Sequence, residues 1–296
     1  MKLFLSYPLT AEPHGGGNQF LRNLAHEFSV AGILTASPYE ADVILYNSHH
    51  HMRETLILKK QCSSKTFVHR MDGLQKLYNS SSDRRQDISI KYNKIAKGTI
   101  FQSKWSKNEF CKYGFIPSNS EVILNAADPA VFNSNYVPSS NKKIELLCTS
   151  FSPNINKGFN FYKLLDQALD FDRFNFTFVG NTPSTVNYKN IRCFPPESTS
   201  SIAQRLRETD IFISATLNDC CSNSIIEALS SNVPVLTLNS GGTPELVKDE
   251  AMLFENIDDF IMKLDYISTH LDFFKSSIKV DNMTDIAERY RLFFEK

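Results

Sequence analysis

Two carboxylates, Asp219 and Glu227, lie eight residues apart on either side of a predicted helix start. Ser222 is placed to cap that helix, so the first backbone N–H groups have no partner within it. These N–H groups belong to Asn223, Ser224 and Ile225. A helix N-terminus of this kind favours an anion, because its free N–H groups and its dipole both attract negative charge. A diphosphate there, with a hydroxyl-rich group on either side, would use both carboxylates, and a nucleotide sugar has that form.

The surrounding sequence predicts the elements that position these groups. Asp210–Ser214 and Val233–Leu238 are short apolar runs typical of buried strands, and apolar residues recur at helical spacing between them. The turn Ser240-Gly241-Gly242 follows the second run and leads to a helix start at Thr243. Strand, helix and strand in this order predict a right-handed parallel unit. Both polar loops then emerge at the carboxyl edge of the sheet, where open α/β sheets bind ligands.

The segment DCCSNSIIEALSSNVPVLTLNSGGTPELV resembles the donor-binding segment of the retaining glycosyltransferases of family 4, which have the GT-B fold. That family carries a Glu-x7-Glu motif followed by a Gly-Gly loop. In this chain Glu227 is the second Glu, Gly241-Gly242 is the loop, and Asp219 stands in place of the first Glu. The resemblance implies that Asp219 holds hexose hydroxyls, that Glu227 holds the ribose, and that the glycines bind the donor.

A glycine-rich turn follows the first predicted strand, Lys2–Ser6, and precedes a helical pattern. Glycines allow backbone N–H groups to approach a phosphate, although an ordinary flexible loop has the same spacing. The turn contains Gly15, Gly16, Gly17 and Asn18. Family 4 enzymes place a glycine-rich loop at this point, facing the donor, so the resemblance implies a donor-binding role.

The predicted strand Lys65–His69 ends in the sequence His-Arg-Met-Asp-Gly. Polar residues at a strand's carboxyl end are where an α/β fold places working groups, although a satisfied structural histidine is the alternative. The family places a His here, near the hexose and the reacting carbon, which implies a catalytic role for His69. Asp72 is a possible neighbour in the site, and Arg70 could direct charge toward the phosphates.

Lys157-Gly158 begins a predicted helix behind the strand Ile144–Cys148. A lysine at this place can neutralise a diphosphate, and a solvated surface lysine is the alternative. The family pattern is Arg-x4-Lys-Gly, so Lys157 matches while Ser152 occupies the Arg position. The resemblance extends to Asn125–Phe132, which is similar to the stretch that closes the first domain.

Three features suggest other chemistry, and their positions argue against it. Asp170 and Asp172 form the Asp-x-Asp pattern of metal-dependent transferases, but they precede the strand Phe174–Val179 and so lie at its amino end. Residues 49–51 are consecutive histidines, whose side chains would point about 100° apart on a helix and cannot readily share one ion. The adjacent thiols at 220 and 221 cannot bridge without strain.

Composition limits the class of protein. Hydrophobic residues make up 42% of the 296-residue chain, enough for two cored domains. The 32 basic and 32 acidic residues balance, which gives no overall charge to attract nucleic acid or an acidic membrane surface. No apolar run approaches the length of a membrane span, and the six scattered cysteines fit a reducing, cytoplasmic compartment.

We therefore expect a GT-B fold: an α/β protein with two Rossmann-like parallel-sheet domains facing across a cleft. Residues 1–135 would form the acceptor-side domain and 142–275 the donor-side domain, with a helix at 276–296 packing back on the first. The expected activity is metal-independent, retaining transfer of a sugar from a UDP- or GDP-sugar to a glycan or other acceptor. A GT-B protein that only binds a nucleotide sugar or glycan, and a metal-dependent transferase using Asp170 and Asp172, remain alternatives. The sequence leaves the oligomeric state open.

Overall fold

The computed structural model describes residues 1–10, 16–135 and 143–296. The chain folds into two compact units. The first comprises Met1–Thr10, Gly17–Asn125 and Asn282–Lys296, and the second comprises Ala126–Asp281 together with Gly16. Most of the polar stretch Asn133–Lys142, which the sequence predicts as the linker between the domains, lies outside the described residues. Within those residues, no helix combines the length and apolar character that crossing a membrane requires.

The first unit contains a five-stranded parallel sheet with strands adjacent in chain order. Its strands are β1 (Leu3–Ser6), β2 (Val43–Asn47), β3 (Thr66–Met71), β4 (Gly98–Phe101) and β5 (Ser120–Val122). Its helices up to β5 are α1 (Gly16–Val30), α2 (Met52–Gln61), α3 (Gln75–Tyr78), α4 (Arg85–Asn93) and α5 (Lys104–Lys112). The central strands are buried along their length, as expected for a parallel sheet covered on both faces.

Helices α2, α4 and α5 cover one face of this sheet. Met52 of α2 and Tyr92 of α4 pack in one core cluster with Phe67 of β3. Ile90 of α4 packs in a second cluster with Phe110 of α5, on Met71 and Phe101 of the sheet. Phe67 and Met71 are four residues apart on β3, so both clusters lie on the same side of the sheet.

The second unit contains a six-stranded parallel sheet in the order β11-β10-β9-β6-β7-β8. Its strands are β6 (Ile144–Ser150), β7 (Phe174–Gly180), β8 (Arg192–Phe194), β9 (Ile211–Ser214), β10 (Val235–Leu238) and β11 (Leu253–Phe254). Its helices are α6 (Phe159–Ala168), α7 (Thr199–Arg207), α8 (Asn223–Ser230), α9 (Thr243–Val247), α10 (Ile257–Thr269) and α11 (Leu271–Ser277). The chain runs outward from β6 through β8 and then returns to β9 on the other side of β6. The strand order therefore reverses between β6 and β9, which is where doubly wound sheets bind ligands.

The last helix, α12 (Met283–Phe294), belongs to the first unit. Asn282 caps it by accepting a hydrogen bond from the backbone N–H of Asp285 at 2.7 Å. Tyr290 packs on Phe20 of α1 with ring centroids 6.0 Å apart, and Phe294 packs on Phe28 at the same separation. Together with the two parallel α/β sheets, this confirms the predicted fold class.

Candidate functional site

The centre of the candidate site is an ion pair between Lys157 and Asp219. Lys157 Nζ lies 3.0 Å from Asp219 Oδ2, and the two side chains are only 18% and 14% exposed. Lys157 follows β6 and Asp219 follows β9, so the two strands at the reversal of strand order supply one partner each. The structure thus brings together two predicted site residues that lie 62 positions apart in sequence.

The loops that carry this pair fit closely against each other. Gly158 has a φ of +93°, and a Cβ there would lie 2.6 Å from Ala215 Cβ, so a side chain would force the loops apart. The backbone N–H of Leu217 donates to the carbonyl of Asn156 at 2.7 Å. A glycine following the lysine is therefore needed for Lys157 to reach Asp219.

The Gly-Gly turn supports the backbone of Asp219. Gly241 has a φ of +65°, and a Cβ there would lie 2.4 Å from the Asp219 carbonyl oxygen. The N–H of Gly242 donates to that same carbonyl at 2.8 Å, and Ser240 Oγ accepts from the N–H of Asn218 at 3.1 Å. Gly241 and Gly242, expected to bind the donor directly, therefore contact Asp219 and hold its loop in place.

Helix α8 begins at Asn223, as the sequence predicts, but the predicted side-chain cap by Ser222 does not form. Within residues 143–296, the Ser222 side chain makes no capping hydrogen bond; its hydroxyl pairs with that of Ser224 at 3.1 Å. Asp219 Oδ1 instead accepts from the N–H of Cys221 at 3.2 Å. The carboxylate therefore lies immediately before the helix, with one oxygen on the backbone and the other on Lys157. Ile225 lies in the first turn and is fully buried.

Glu227 lies in the second turn of α8 and is half-buried. Burial raises the pKa of Glu227 to about 8, from an ordinary value of 4.5. At neutral pH the carboxyl group is therefore mostly protonated, and it can both donate and accept a hydrogen bond. This pattern suits a pair of vicinal hydroxyls.

The glycine-rich turn is only partly described. Gly15 lies outside the described residues. Gly16, which groups with the second unit, accepts a hydrogen bond from the Asn223 side-chain amide. Gly17 is open on its Cβ side. Asn18 is buried, and its side-chain amide pairs with the backbone of Thr10 at 3.1 and 3.0 Å. Asn18 therefore fixes the end of the preceding loop instead of presenting its amide to a ligand.

His69 in the first unit is fully buried, an environment that favours the alternative of a structural histidine. Its Nε2 lies 2.8 Å from the Ser48 carbonyl and its Nδ1 lies 3.1 Å from the Asn93 amide nitrogen. The ring also stacks on Tyr46, with centroids 4.2 Å apart. Burial lowers the pKa of His69 to about 4, so the ring is neutral. The alternative of a satisfied structural histidine describes this side chain.

Arg70 is also fully buried, and its guanidinium bonds side chains of the first unit. Its guanidinium donates to Asn47 Oδ1 at 2.7 Å and to Asn125 Oδ1 at 2.8 Å. It also stacks over the ring of Phe20, 4.6 Å from the centroid. Arg70 therefore ties together the carboxyl ends of β2 and β3 and the segment after β5.

Asp72 is the predicted first-unit residue whose side chain remains accessible, at 22% exposure. Its Oδ1 accepts from Gln102 Nε2 at 2.6 Å and from Arg70 Nη1 at 3.3 Å. Its Oδ2 lies 3.9 Å from Nε2 of His50, which is 39% exposed. The proximity of His50 to Asp72 cannot be predicted from sequence spacing. The neighbouring positions of β2 and β3 in the sheet create it.

The features that suggested other chemistry lie apart from this arrangement. Asp170 and Asp172 are exposed and precede the first residue of β7, at the amino edge of the sheet. In the described residues, Cys220 and Cys221 form no disulfide. In the parts of the chain that the structure describes, no group of three or more His, Cys, Asp or Glu residues could hold a metal ion.

Comparison with known proteins supports the same region. Residues 128–270 match the family model described as Glycosyl transferases group 1. The fold resembles sucrose-phosphate synthase from Thermosynechococcus elongatus with a TM-score of 0.77 and 11% identity, over 100% of this chain and 98% of that one. The chain has the GT-B fold, and the glycosyltransferase family model matches 143 of its 296 residues. The family match falls within the second unit and includes Lys157, Asp219 and Glu227.

Other solved structures share the same fold. Anabaena HepE in complex with UDP-glucose matches with a TM-score of 0.68 and 14% identity, over 99% of this chain and 96% of that one. An E. coli protein bound with UDP-2-fluoro glucose matches with a TM-score of 0.65 and 10% identity, over 94% of this chain and 77% of that one. A comparison with curated protein sequences gives no match.

Proposed function

We propose that the protein is a retaining glycosyltransferase of family 4 that uses a UDP- or GDP-sugar and needs no metal ion. The acceptor would be a glycan or another hydroxyl-bearing molecule. The observation that carries the proposal is the Lys157–Asp219 ion pair at the reversal of strand order, directly before the N-terminus of α8. The UDP-glucose complex of HepE, which has the same fold, supports a nucleotide sugar as the donor.

In this proposal the donor diphosphate binds to Lys157 and to the first N–H groups of α8. The lysine supplies a point charge, and the N–H groups and helix dipole stabilise the charge that develops as the diphosphate leaves. Donor binding would therefore exchange the partner of Lys157 from Asp219 to phosphate. That exchange would free an Asp219 oxygen to accept from hexose hydroxyls.

Glu227 would hold the ribose. Glu227 is half-buried near the helix start, and its raised pKa leaves its carboxyl group mostly uncharged at neutral pH. A neutral carboxyl group can donate a hydrogen bond to one ribose hydroxyl and accept one from the other. During transfer the bond between the anomeric carbon and the diphosphate oxygen breaks. The acceptor oxygen bonds to the same face of that carbon, and its proton passes to the leaving diphosphate. These residues stabilise charge in such a step, and none of them is required as a nucleophile.

For the first unit, we propose Asp72 in place of His69 as the residue that contacts a sugar. The Asp72 carboxylate is accessible and is held by Gln102 and Arg70, whereas the His69 ring is enclosed. His69 would then act through the backbone of Ser48, as a positioning residue for the loop after β2. The six cysteines form no disulfide within the described residues, which supports our proposal of a cytoplasmic location.

The proposal is tested by screening UDP- and GDP-sugars for a rise in melting temperature, followed by transfer assays with the sugar that binds. We expect the product to keep the anomeric configuration of the donor, as read by NMR, and the rate to be unchanged by a chelator. An inverted product would overturn the retaining mechanism. A rate lost in chelator and restored by a divalent cation would overturn the metal-independent one.

A non-catalytic GT-B protein is the second candidate. It is favoured by the absence of an arginine at Ser152 and by the engagement of Lys157 with Asp219, because both reduce the positive charge available to a diphosphate. This candidate predicts saturable nucleotide-sugar binding with neither transfer nor hydrolysis for any acceptor tested. Turnover with any sugar that binds would exclude it.

A further inference from the structure

The neutral total charge of the chain hides a strong separation of charge. Helix α2 (Met52–Gln61) and the segment 84–112, which includes α4 and α5, together contain 11 Lys and Arg but only 3 Asp and Glu. The rest of the chain contains 21 basic and 29 acidic residues. These two segments therefore carry an excess of eight positive charges, which an equal negative excess elsewhere balances.

These charges lie on one face of the first unit. Helices α2 and α4 share one core cluster and α4 and α5 share another, so all three cover the same side of the sheet. Tyr113, directly after α5, also donates its hydroxyl to Asp87 of α4 at 2.7 Å. We call the outward side of α2, α4 and α5 the basic face.

The basic face repeats one pattern of exposed residues. On α2, Arg53, Ile57 and Lys60 are exposed at helical spacing. At α4, Arg84, Ile88 and Lys91 repeat the same spacing and the same residue types. The isoleucines are 46% and 41% exposed, and Ile116, following α5, is 79% exposed. Helices α2 and α4 therefore each present an aliphatic side chain between two cations, and Ile116 adds an exposed aliphatic side chain after α5.

We propose that the basic face docks on the surface of an anionic lipid bilayer. Lysine and arginine would contact the headgroups, because anionic lipids attract basic side chains near the membrane surface. The isoleucines between them would reach the boundary with the acyl chains, as apolar residues of interfacial helices do. This inference concerns the first unit alone and does not depend on the donor-site assignment.

A nucleic acid fits the pattern less well. Proteins that bind single strands without sequence preference place aromatic side chains among their cations, because bases stack on them. Ile57, Ile88 and Ile116 are aliphatic. A phosphate backbone offers no apolar layer to receive them. A bilayer supplies both the negative charge and the apolar layer.

The test is flotation of the full chain with vesicles of phosphatidylcholine alone or with about one third phosphatidylglycerol. We expect binding to the anionic vesicles only, weakening as salt rises from 50 to 300 mM, because surface charges are screened. The double variant Ile88→Ser with Lys91→Glu should reduce the partition coefficient at least tenfold. The matched control is Lys279→Glu with Val280→Ser, an exposed cation and aliphatic pair in the second unit, which should bind like the wild type.

Trp105 gives a second measurement that reports position. It is the only tryptophan of the chain, and it lies on α5. Docking by the basic face should let brominated lipids quench its fluorescence, which requires no added label. Melting temperatures of both double variants should match the wild type, so that a loss of binding is not a loss of folding.

Three results would overturn the proposal. Equal binding to neutral and anionic vesicles would exclude a charge-driven surface. Equal loss in the control variant, or binding without quenching of Trp105, would place any membrane contact elsewhere. Binding to poly(U) or heparin without binding to anionic vesicles would show that the basic face takes a soluble polyanion instead.

Discussion

At the scale of single residues, the Lys157–Asp219 pair has to be stable without a donor and has to exchange partners when the proposed donor binds. Both side chains have little solvent exposure, so removing one partner leaves the other as a poorly solvated charge. A diphosphate can replace Asp219 as the partner of Lys157, and hexose hydroxyls can replace Lys157 as the partner of Asp219. The pair therefore keeps both charges satisfied before the donor arrives and at the same time holds them ready for it.

We expect Lys157→Ala to lower transfer by about 10²–10³-fold, the usual effect of removing one group that stabilises developing charge. The comparison variant is Lys163→Ala on α6, whose Nζ contacts only the Thr185 carbonyl, at 3.4 Å, among the hydrogen bonds of the described residues. Steady-state kinetics with a saturating donor measure both. Full activity in Lys157→Ala would show that the lysine does not serve the diphosphate.

The raised pKa of Glu227 predicts how the stability of the protein depends on pH. Between pH 4.5 and about 8 the folded protein keeps a proton on Glu227 that the unfolded chain has lost. The contribution of Glu227 to stability is therefore fully present below pH 4.5 and is lost as pH rises toward 8. The Gln side chain of Glu227→Gln does not titrate, so the variant does not lose stability in this way. The free energy of unfolding of the variant minus that of the wild type should therefore increase by about 1–2 kcal/mol from pH 5 to pH 8. This range allows for the residual exposure of the side chain.

Urea unfolding of both proteins at pH 5, 6.5 and 8 tests this. The variant should also transfer sugar poorly if Glu227 holds the ribose. A stability difference that stays constant with pH would mean that Glu227 titrates normally in the folded protein.

At the scale of elements, three loops at one edge of the second sheet depend on each other. The loop after β6 supplies Lys157, the loop after β9 supplies Asp219, and the loop after β10 holds the Asp219 backbone through Gly241 and Gly242. A change in the third loop should therefore alter the site even though its side chains do not form the ion pair.

Gly241→Ala tests this dependence. The new Cβ would lie 2.4 Å from the Asp219 carbonyl oxygen, on a residue with a φ of +65°. Gly32→Ala is the matched control, because Gly32 has a φ of +66° but no heavy atom within 4 Å of the added Cβ. Both variants should lose about 1 kcal/mol from the backbone conformation. Only Gly241→Ala should lose more stability through the clash and also lose transfer activity; equal behaviour of the two would refute the supporting role.

In the first unit, Arg70 joins elements in a similar way. We expect Arg70→Lys to destabilise the protein by about 2–4 kcal/mol, because an ammonium group cannot bond Asn47 and Asn125 in the fork geometry of a guanidinium. Arg85→Lys, at a half-exposed ion pair with Asp83, should change stability by less than about 0.5 kcal/mol. Thermal unfolding compares the two. A similar small effect at both positions would mean that the ends of β2 and β3 do not rely on Arg70.

At the scale of the whole molecule, the sequence predicts those elements that are determined by the pattern of neighbouring residues. Apolar runs and helical spacing identify the alternation of strands and helices, and the acid–cap–acid order locates the start of α8. The pairing of Lys157 with Asp219 depends on the strand order, which local pattern does not contain. The burial of His69 and Arg70 depends on which face of the sheet each side chain meets and on what covers that face. The basic face is hidden for the same reason, because net charge is a sum that ignores position.

The polarity of the second sheet separates the metal-dependent alternative from the proposed mechanism. Asp170 and Asp172 precede β7, whose seven residues pair in register with β6 from Ile144↔Phe174 to Ser150↔Gly180. Seven residues of strand span about 23 Å, so an ion held by these acids lies far beyond contact with a diphosphate on Lys157. We therefore expect the double variant Asp170→Asn with Asp172→Asn to keep transfer within about twofold of the wild type, the range of a surface change.

The experiment compares this variant with Lys157→Ala in the same assay, with and without a chelator and with magnesium or manganese added back. If the proposed site is right, the surface variant stays active under every condition, whereas the lysine variant is impaired under every condition. The opposite order, with activity lost in the double variant and restored by neither cation, would move the reaction to the amino edge of the sheet. Such a result would contradict the rule that places ligands at the carboxyl ends of parallel strands.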